Sequence, residues 1–436
     1  MYATFLHPEF ESASARQIAE LQSQKWLRQW ERLRSSRFYQ RHFGSRAFTR
    51  LADLEALPFT TKDDLRRSQE TEPPYGDYIC CRPDQVVRIH RTSGTTGTAM
   101  VLAASKRDTE ITHLLGGRGF YAAGLRPGDR VVHCLNYQLW TGGVTDHLCL
   151  EATGATVIPF GTGGAKRLIE IIPELGITAI SCTPSYPALL EEIVRENGKN
   201  PRDLGLRLGL FGGEAGLDNA AFREKLEATW GFRVRNANFG LSEVMSIMGA
   251  QCEAGTDLHF HAEDYVFVEL IDPVTDKRLA ISPGATGELV FTHLEKECQP
   301  LVRYRARDVV TITATEPCAC GRTSFRFRVT GRTDDMFNVR GINVFPTAVQ
   351  RVIAAHADAL SGHFRIVLSG PGPYARIPVK AEVVRGLPEA NWPAIAKKLE
   401  DAIKIAIGAG AEVTLVPYES LGRTDGKTSI IERVKA

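Results

Sequence analysis

Residues 91–100 read Arg-Thr-Ser-Gly-Thr-Thr-Gly-Thr-Ala-Met, a run whose hydroxyls and glycines suit the binding of an anion. Glycine lets the backbone turn its N–H groups toward a ligand at little steric cost. A concavity of such donors, made by Ser93, Gly94, Thr95, Thr96 and Gly97, would cradle a polyphosphate. The lysine of a Walker A loop is missing, so this is a different kind of nucleotide loop. Taken alone, a cluster of this kind is more often a surface turn. A second constellation has the chemistry of a metal site. Cys252 and His259 lie seven residues apart, and Cys318-Ala319-Cys320 follows about sixty residues later. Three thiolates and one imidazole match a closed, structural zinc site, with His261 competing with His259 for the fourth position. The competing reading is a set of buried, unligated thiols.

These groups need elements to position them. From about 86 to 290, short β-branched runs alternate with helical stretches. Residues 86–90, 131–135, 155–159, 179–183 and 208–211 read as strands, and 165–174, 187–196 and 219–230 as helices. Such alternation predicts parallel sheet layers covered by helices. Upstream, a helical pattern runs over 12–45, with Arg28, Arg32, Arg34, Arg37 and Arg41 on a solvated face. After about residue 334 the pattern becomes helix 345–356, strand 377–384, helix 392–407 and strand 412–416. The expected fold is α/β, with a large N-terminal domain of helix-covered mixed sheets (1–333) and a small mobile α+β C-terminal domain (334–436). A Gly-led polar turn, Gly331-Arg332-Thr333-Asp334-Asp335, is the expected hinge.

Composition narrows the class. A chain of 436 residues, 43% hydrophobic and 24% charged, has the balance of an ordinary globular protein. A net charge of +2 gives no reason to expect a nucleic-acid or membrane-surface partner. No apolar run approaches the ~18–20 residues of a membrane span. The first residues do not read as a secretory leader. The nine cysteines are scattered and odd in number, unlike a disulfide framework. A cytoplasmic location is the expectation.

Five elements occur in one order: 92–97, Phe239-Gly-Leu-Ser-Glu243, Arg303-Tyr-Arg-Ala-Arg-Asp308, the segment 331–346, and Arg423-Thr-Asp-Gly-Lys427. As an ordered set they resemble the acyl/aryl-adenylating (AMP-forming) enzymes. The wording of 331–346 and Cys318-Ala-Cys-Gly-Arg322 resembles the phenylacetate–CoA ligase branch. The resemblance runs from about residue 20 onward. It implies that 93–97 surround the β- and γ-phosphates of ATP, that Phe239 stacks on adenine, and that Glu243 helps hold Mg²⁺. Asp308 would accept hydrogen bonds from the ribose hydroxyls, with Gly240, Ser242 and Arg332 as further nucleotide contacts. Asp334 would be the pivot of the small domain, and Lys427 would reach the substrate carboxylate and the α-phosphate. Read without the resemblance, Lys427 is a solvated turn residue, Glu243 a helix N-terminal carboxylate, Asp308 a loop acid and Phe239 a core residue.

The segment 136–143 follows a strand end, where open α/β sheets place ligands. Tyr137 and Trp140 offer flat apolar surfaces and Gly142 and Gly143 leave room for a planar aryl acid; the competing reading is two core aromatics. Gly213 and Glu214 form a second wall, close to adenine or acid. The activity implied is that of an AMP-forming aryl acid–CoA ligase, using ATP, Mg²⁺ and coenzyme A, with structural Zn²⁺. Charge on the attacked α-phosphate must be neutralised, which a metal ion and a lysine do. The two half-reactions need different surroundings, which a mobile small domain supplies. A carrier-protein phosphopantetheine or an amine is the alternative acceptor, and a non-catalytic nucleotide-binding protein is a third reading. The partner expected is a small aryl acid, and a homodimer is compatible with the sequence.

Overall fold

The computed structural model describes residues 4–44, 47–92, 99–214, 216–370, 372–422 and 430–434. Ser93, Gly94, Thr95, Thr96, Gly97 and Lys427 lie outside the described residues.

The apolar runs build one twelve-stranded sheet. One part is parallel, in the spatial order Thr156–Pro159, Arg130–His133, Ala179–Cys182, Leu208–Gly212 and Arg233–Leu241. Helices Thr141–Glu151, Ala165–Glu174, Tyr186–Glu196 and Ala220–Trp230 make the crossovers. Strands Ala179–Cys182 and Leu208–Gly212 are buried throughout, as strands covered on both faces must be. The chain adds its second parallel strand on one side of Arg130–His133 and its third on the other. That reversal is a topological switch point, outside whose carboxyl ends open α/β sheets hold ligands.

Arg233–Leu241 is the seam of the sheet. It runs parallel to Leu208–Gly212 and antiparallel to Met245–Gln251. Beyond it Leu258–Phe260, Arg326–Arg332, Tyr304–Ala314, Thr286–His293 and Val266–Ile271 continue antiparallel. The expected mixed, helix-covered architecture is present, but only the first part of the alternation gives parallel layers.

The helical pattern over 12–45 is two helices, Ala15–Leu33 and Arg37–Phe43. Ser14 and Gln17 form a reciprocal capping box on the first, and the Ser36 side chain caps the second, which breaks the pattern between them. Trp26, Trp30 and Leu33 share one face and enter the main core. Arg28, Arg34, Arg37 and Arg41 are exposed as expected, whereas Arg32 is half-buried and pairs with Glu297 at 3.4 Å.

The chain after about 336 has its own core, including Val349, Ile353, Ile366, Val379 and Leu399. Its four-stranded sheet is ordered Ala411–Val416, Ile377–Val383, Leu360–Ser369, Ile431–Val434, and it carries helices Pro346–Ala354 and Trp392–Ile407. Gly331 and Arg332 end the strand Arg326–Arg332, so the expected hinge turn begins only at Thr333. A Cβ on Gly331 would stand 2.7 Å from the Phe345 ring, so close packing rather than a turn requires this glycine. Among the described residues no helix is long and apolar enough to cross a membrane.

Candidate active site

Glu243 sits in the turn joining Arg233–Leu241 to Met245–Gln251, not at a helix N-terminus. A Cβ on Gly240 would meet the Ser246 carbonyl oxygen at 2.0 Å, so only glycine lets the hairpin close behind it. The Tyr304 hydroxyl donates to Glu243 Oε1 at 2.8 Å, and the Lys62 ammonium approaches the same oxygen at 3.1 Å. Burial works to raise the Glu243 pKa, but the Lys62 charge and the Tyr304 hydroxyl outweigh it and hold the carboxyl below its usual range. Lys62 is placed by its neighbours: Thr60 bridges to Tyr304 through backbone hydrogen bonds with Arg303 and Arg305, both 3.0 Å. Thr61 then caps the helix Lys62–Thr71. Phe239 is half-buried, edge-on to Phe327 with ring centroids 5.0 Å apart, so one side of it belongs to the core.

The strand Tyr304–Ala314 carries the next group. Asp308 stands opposite Arg332 in the antiparallel register, and Arg332 Nη1 donates to Asp308 Oδ1 at 3.0 Å. The same guanidinium forks onto Asp334, with both contacts 3.0 Å. Burial disfavours the charge on Arg332, yet Asp308, Asp334 and Asp335 together raise its pKa. Burial and then the Glu243 charge push the Tyr304 phenol up, and Arg332 and Asp308 also act on it. Glu243 and Asp308, sixty-five positions apart in sequence, are thus linked through one strand: Tyr304 bonds Glu243, and Asp308 lies four residues further along. Elsewhere in this motif Arg303 forks onto buried Glu269 (3.1 and 3.0 Å) and Arg305 onto buried Glu288 (3.0 and 2.7 Å), so both serve the framework.

The segment 134–140 leaves the switch-point strand as expected. His133, at the end of that strand, donates from Nε2 to the Gly142 and Gly143 carbonyls (3.0 and 3.1 Å), while its Nδ1 faces Ser181 Oγ at 3.1 Å. Gly142 and Gly143 also permit tight packing of the segment on itself. An added Cβ would meet the Trp140 ring at 2.8 Å in one case and the Asn136 carbonyl oxygen at 2.4 Å in the other. Tyr137 donates to His147 Nδ1 at 2.9 Å. Gly213, at φ +82°, uses the left-handed region glycine tolerates, and Glu214 Oε2 accepts from the Ser185 backbone N–H at 3.3 Å, joining the loops after two parallel strands.

Burial, against weaker help from the two carbonyls, lowers the His133 pKa to about 4. The folded ring is neutral while the unfolded one protonates below its ordinary value near 6.5. Stability therefore falls as pH drops from about 6.5 toward 4, by roughly 3 kcal/mol from this residue. Melting temperatures between pH 7 and 4.5 should show that decline, and a His133→Gln variant should show a shallower slope; an equal slope refutes the assignment.

Cys252, His259, Cys318 and Cys320 come together with their ligand atoms all within 4.8 Å of one another. Cys252 Sγ lies 3.9 Å from Cys318 Sγ, and Cys320 Sγ lies 3.7 Å from His259 Nε2. Two sulfurs on a shared tetrahedral zinc stand about 3.8 Å apart, so the spacing fits a metal and excludes a disulfide. His259 Nδ1 faces Ser324 Oγ at 3.4 Å, which orients Nε2 toward the thiols. His261 stacks on His259 at 5.9 Å and is not in the cluster.

Lys62 and Tyr304 went unassigned in the sequence. Tyr304 lay inside a motif already singled out, whereas an isolated Lys-Asp-Asp at 62–64 carries no signal of a site.

Residues 44–293 match the family model of the AMP-binding enzymes, and residues 341–433 match the C-terminal domain of AMP-binding enzymes. The chain belongs to the AMP-binding enzyme family, in its phenylacetate–CoA ligase branch, and is an AMP-forming acid–thiol ligase. It is 33% identical to the phenylacetate-coenzyme A ligase of Thermus thermophilus over 87% of each chain. The phenylacetate-coenzyme A ligase of Escherichia coli is 33% identical over 96% of this chain and 95% of its own. Among solved structures, 2-hydroxyisobutyryl-CoA ligase in its postadenylation state with 2-HIB-AMP is 27% identical, with a TM-score of 0.88 over 98% of this chain and 92% of that one. The same ligase with 2-HIB-AMP and CoA in the thioesterification state gives 0.72, covering 99% and 93%.

Proposed function

We propose that this enzyme joins an aromatic carboxylic acid to ATP and then hands the acyl group to coenzyme A. In the first step a carboxylate oxygen attacks the α-phosphorus and pyrophosphate leaves. In the second the CoA thiol, losing its proton, attacks the acyl carbon and AMP leaves. The observation that carries this reading is the bond from Tyr304 to Glu243 on the strand that also bears Asp308, within the order of motifs that an adenylating site needs.

Asp308 accepts from the ribose hydroxyls, and Arg332 holds its carboxylate in place. Phe239 turns its free side to adenine, with Gly240 and Ser242 beside it. Among the described residues Lys62 and Tyr304 both act on Oε1 of Glu243, and the carboxylate would serve Mg²⁺ through its other oxygen. One protein carboxylate with substrate phosphates is a usual Mg²⁺ arrangement, and the bound ion neutralises phosphate charge. Residues 93–97 take the β- and γ-phosphates, and Lys427 donates to the acid and the α-phosphate. Tyr137, Trp140 and the Gly213–Glu214 corner flank the acid at the switch point. Cys252, His259, Cys318 and Cys320 hold a structural Zn²⁺.

Asp334 is the pivot of the small domain. In the present arrangement that domain is docked by Arg385 on Glu192 at 2.7 Å and by the Tyr418 hydroxyl on Glu192 at 3.3 Å. The higher score against the postadenylation state than against the thioesterification state, at equal identity, supports a domain that changes position between half-reactions.

The test is acid-dependent pyrophosphate release with ATP, then CoA-dependent formation of AMP and thioester. Pyrophosphate release without thioester would transfer the second step to another acceptor, and ATP binding with neither product would end the reading. Asp308→Ala should raise the KM for ATP about 10- to 100-fold, the cost of charge-assisted hydrogen bonds. An unchanged KM would show that the ribose is held elsewhere.

A further inference from the structure

Behind the Glu243 turn lies a space of about 60 Å³, walled by Arg88 and His90, by Thr141 and Thr145 of the helix Thr141–Glu151, and by Ser242 and Ser246. It touches both the nucleotide-side turn and the acid-side helix. Leu102, Ile111, Val244 and Met245 make the apolar part of the wall, and Thr141, Thr145, Ser242 and Ser246 add hydroxyl groups to it.

The direction of each hydrogen bond around the space can be worked out. The Leu139 carbonyl can only accept, so His90 Nδ1, 3.3 Å away, carries the ring proton. Burial, and then the Arg88 charge, lower the His90 pKa and keep the ring neutral. Its Nε2 therefore accepts, and Thr145 Oγ1 donates to it at 3.1 Å. On the other side Ser246 Oγ donates to fully buried Asp146 at 2.6 Å, and Asn238 donates to the second oxygen of the same carboxylate. Both hydroxyl protons are thus committed, and Thr145 and Ser246 present lone pairs to the space. Thr141 is only 7% exposed, and its hydroxyl meets no partner among the described residues. Such a buried, unsatisfied group is costly unless a ligand pairs with it.

We propose that the acid this enzyme activates carries a neutral hydrogen-bond donor on its acyl portion, a hydroxyl or an aromatic amine, received by Ser246, Thr145 and Thr141. This inference rests on the acid-activating reading above. Arg88 and Lys296 line the same space with Asp108 and Glu295, two charges of each sign, so no net charge there calls for an ionic group. Asp146 is a positioning residue: it acts by fixing the Ser246 proton away from the substrate.

The experiment compares matched acids in ATP-dependent pyrophosphate release, with phenylacetate and benzoate set against their ring-hydroxy and ring-amino derivatives. A substituted acid should exceed its parent in kcat/KM by at least about tenfold, as a site built to bond a donor discriminates against an analogue lacking it. Ser246→Ala and Thr141→Val, both mild changes in volume, should each bring that ratio toward one. A parent acid used as well as every derivative overturns the proposal. So does a ratio unmoved in both variants, or an effect that shows instead in the KM for CoA. Release of pyrophosphate with none of the acids defeats the ligase reading itself, and this proposal with it.

Discussion

Lys427→Ala should lower acid-dependent pyrophosphate release by about 100- to 1,000-fold, the scale of losing one preorganised donor at a site of developing charge. The same variant, supplied with a ready-made acyl-adenylate, should form thioester from CoA within a few-fold of the parent rate. The asymmetry is the point. Negative charge must be gathered on an already anionic phosphate only in the first half-reaction, so an ammonium there has no equivalent duty in the second. Separate assays of the two halves decide the matter, and equal loss in both would remove Lys427 from its assigned role.

Removal of the proposed zinc should have the largest effect on stability. Four ligand atoms within 4.8 Å join the end of the hairpin that carries Glu243 to the turn between Tyr304–Ala314 and Arg326–Arg332, the strands that bear Asp308 and Arg332. A structural zinc contributes its binding free energy to the fold, so a strong chelator should lower Tm by about 10 °C or more. Cys320→Ser should reproduce the loss and respond no further to chelation. Zinc content well below one per chain in folded, active protein would contradict the assignment, and so would a Tm indifferent to chelator.

Much of this architecture is legible in the sequence. The helix Ala165–Glu174 and the helix Trp392–Ile407 have the bounds their apolar periodicity predicts, because each buries one continuous stripe. The antiparallel part of the large sheet was harder, since strands such as Tyr304–Ala314 owe their partners to long-range pairing that local pattern does not encode. The break at 34–36 was missed because Ser36 interrupts the helix by capping rather than by glycine or proline. Asp308 and Arg332 were both named from the sequence, but their meeting depends on strand register. The hydroxyl groups in the wall of that space are not legible for a similar reason: Thr145, Asp146 and Ser246 are unremarkable singly and acquire direction only from His90 and Asn238.

One guanidinium divides itself between Asp308 and Asp334. A ribose hydroxyl donating to Asp308, as proposed, would compete with Arg332 for that acceptor and leave the guanidinium more fully to Asp334. By thermodynamic reciprocity, whatever occupancy does to rotation, rotation must do equally to retention of the occupant. AMP would then be loosened by the domain's own turning, with no separate latch to undo.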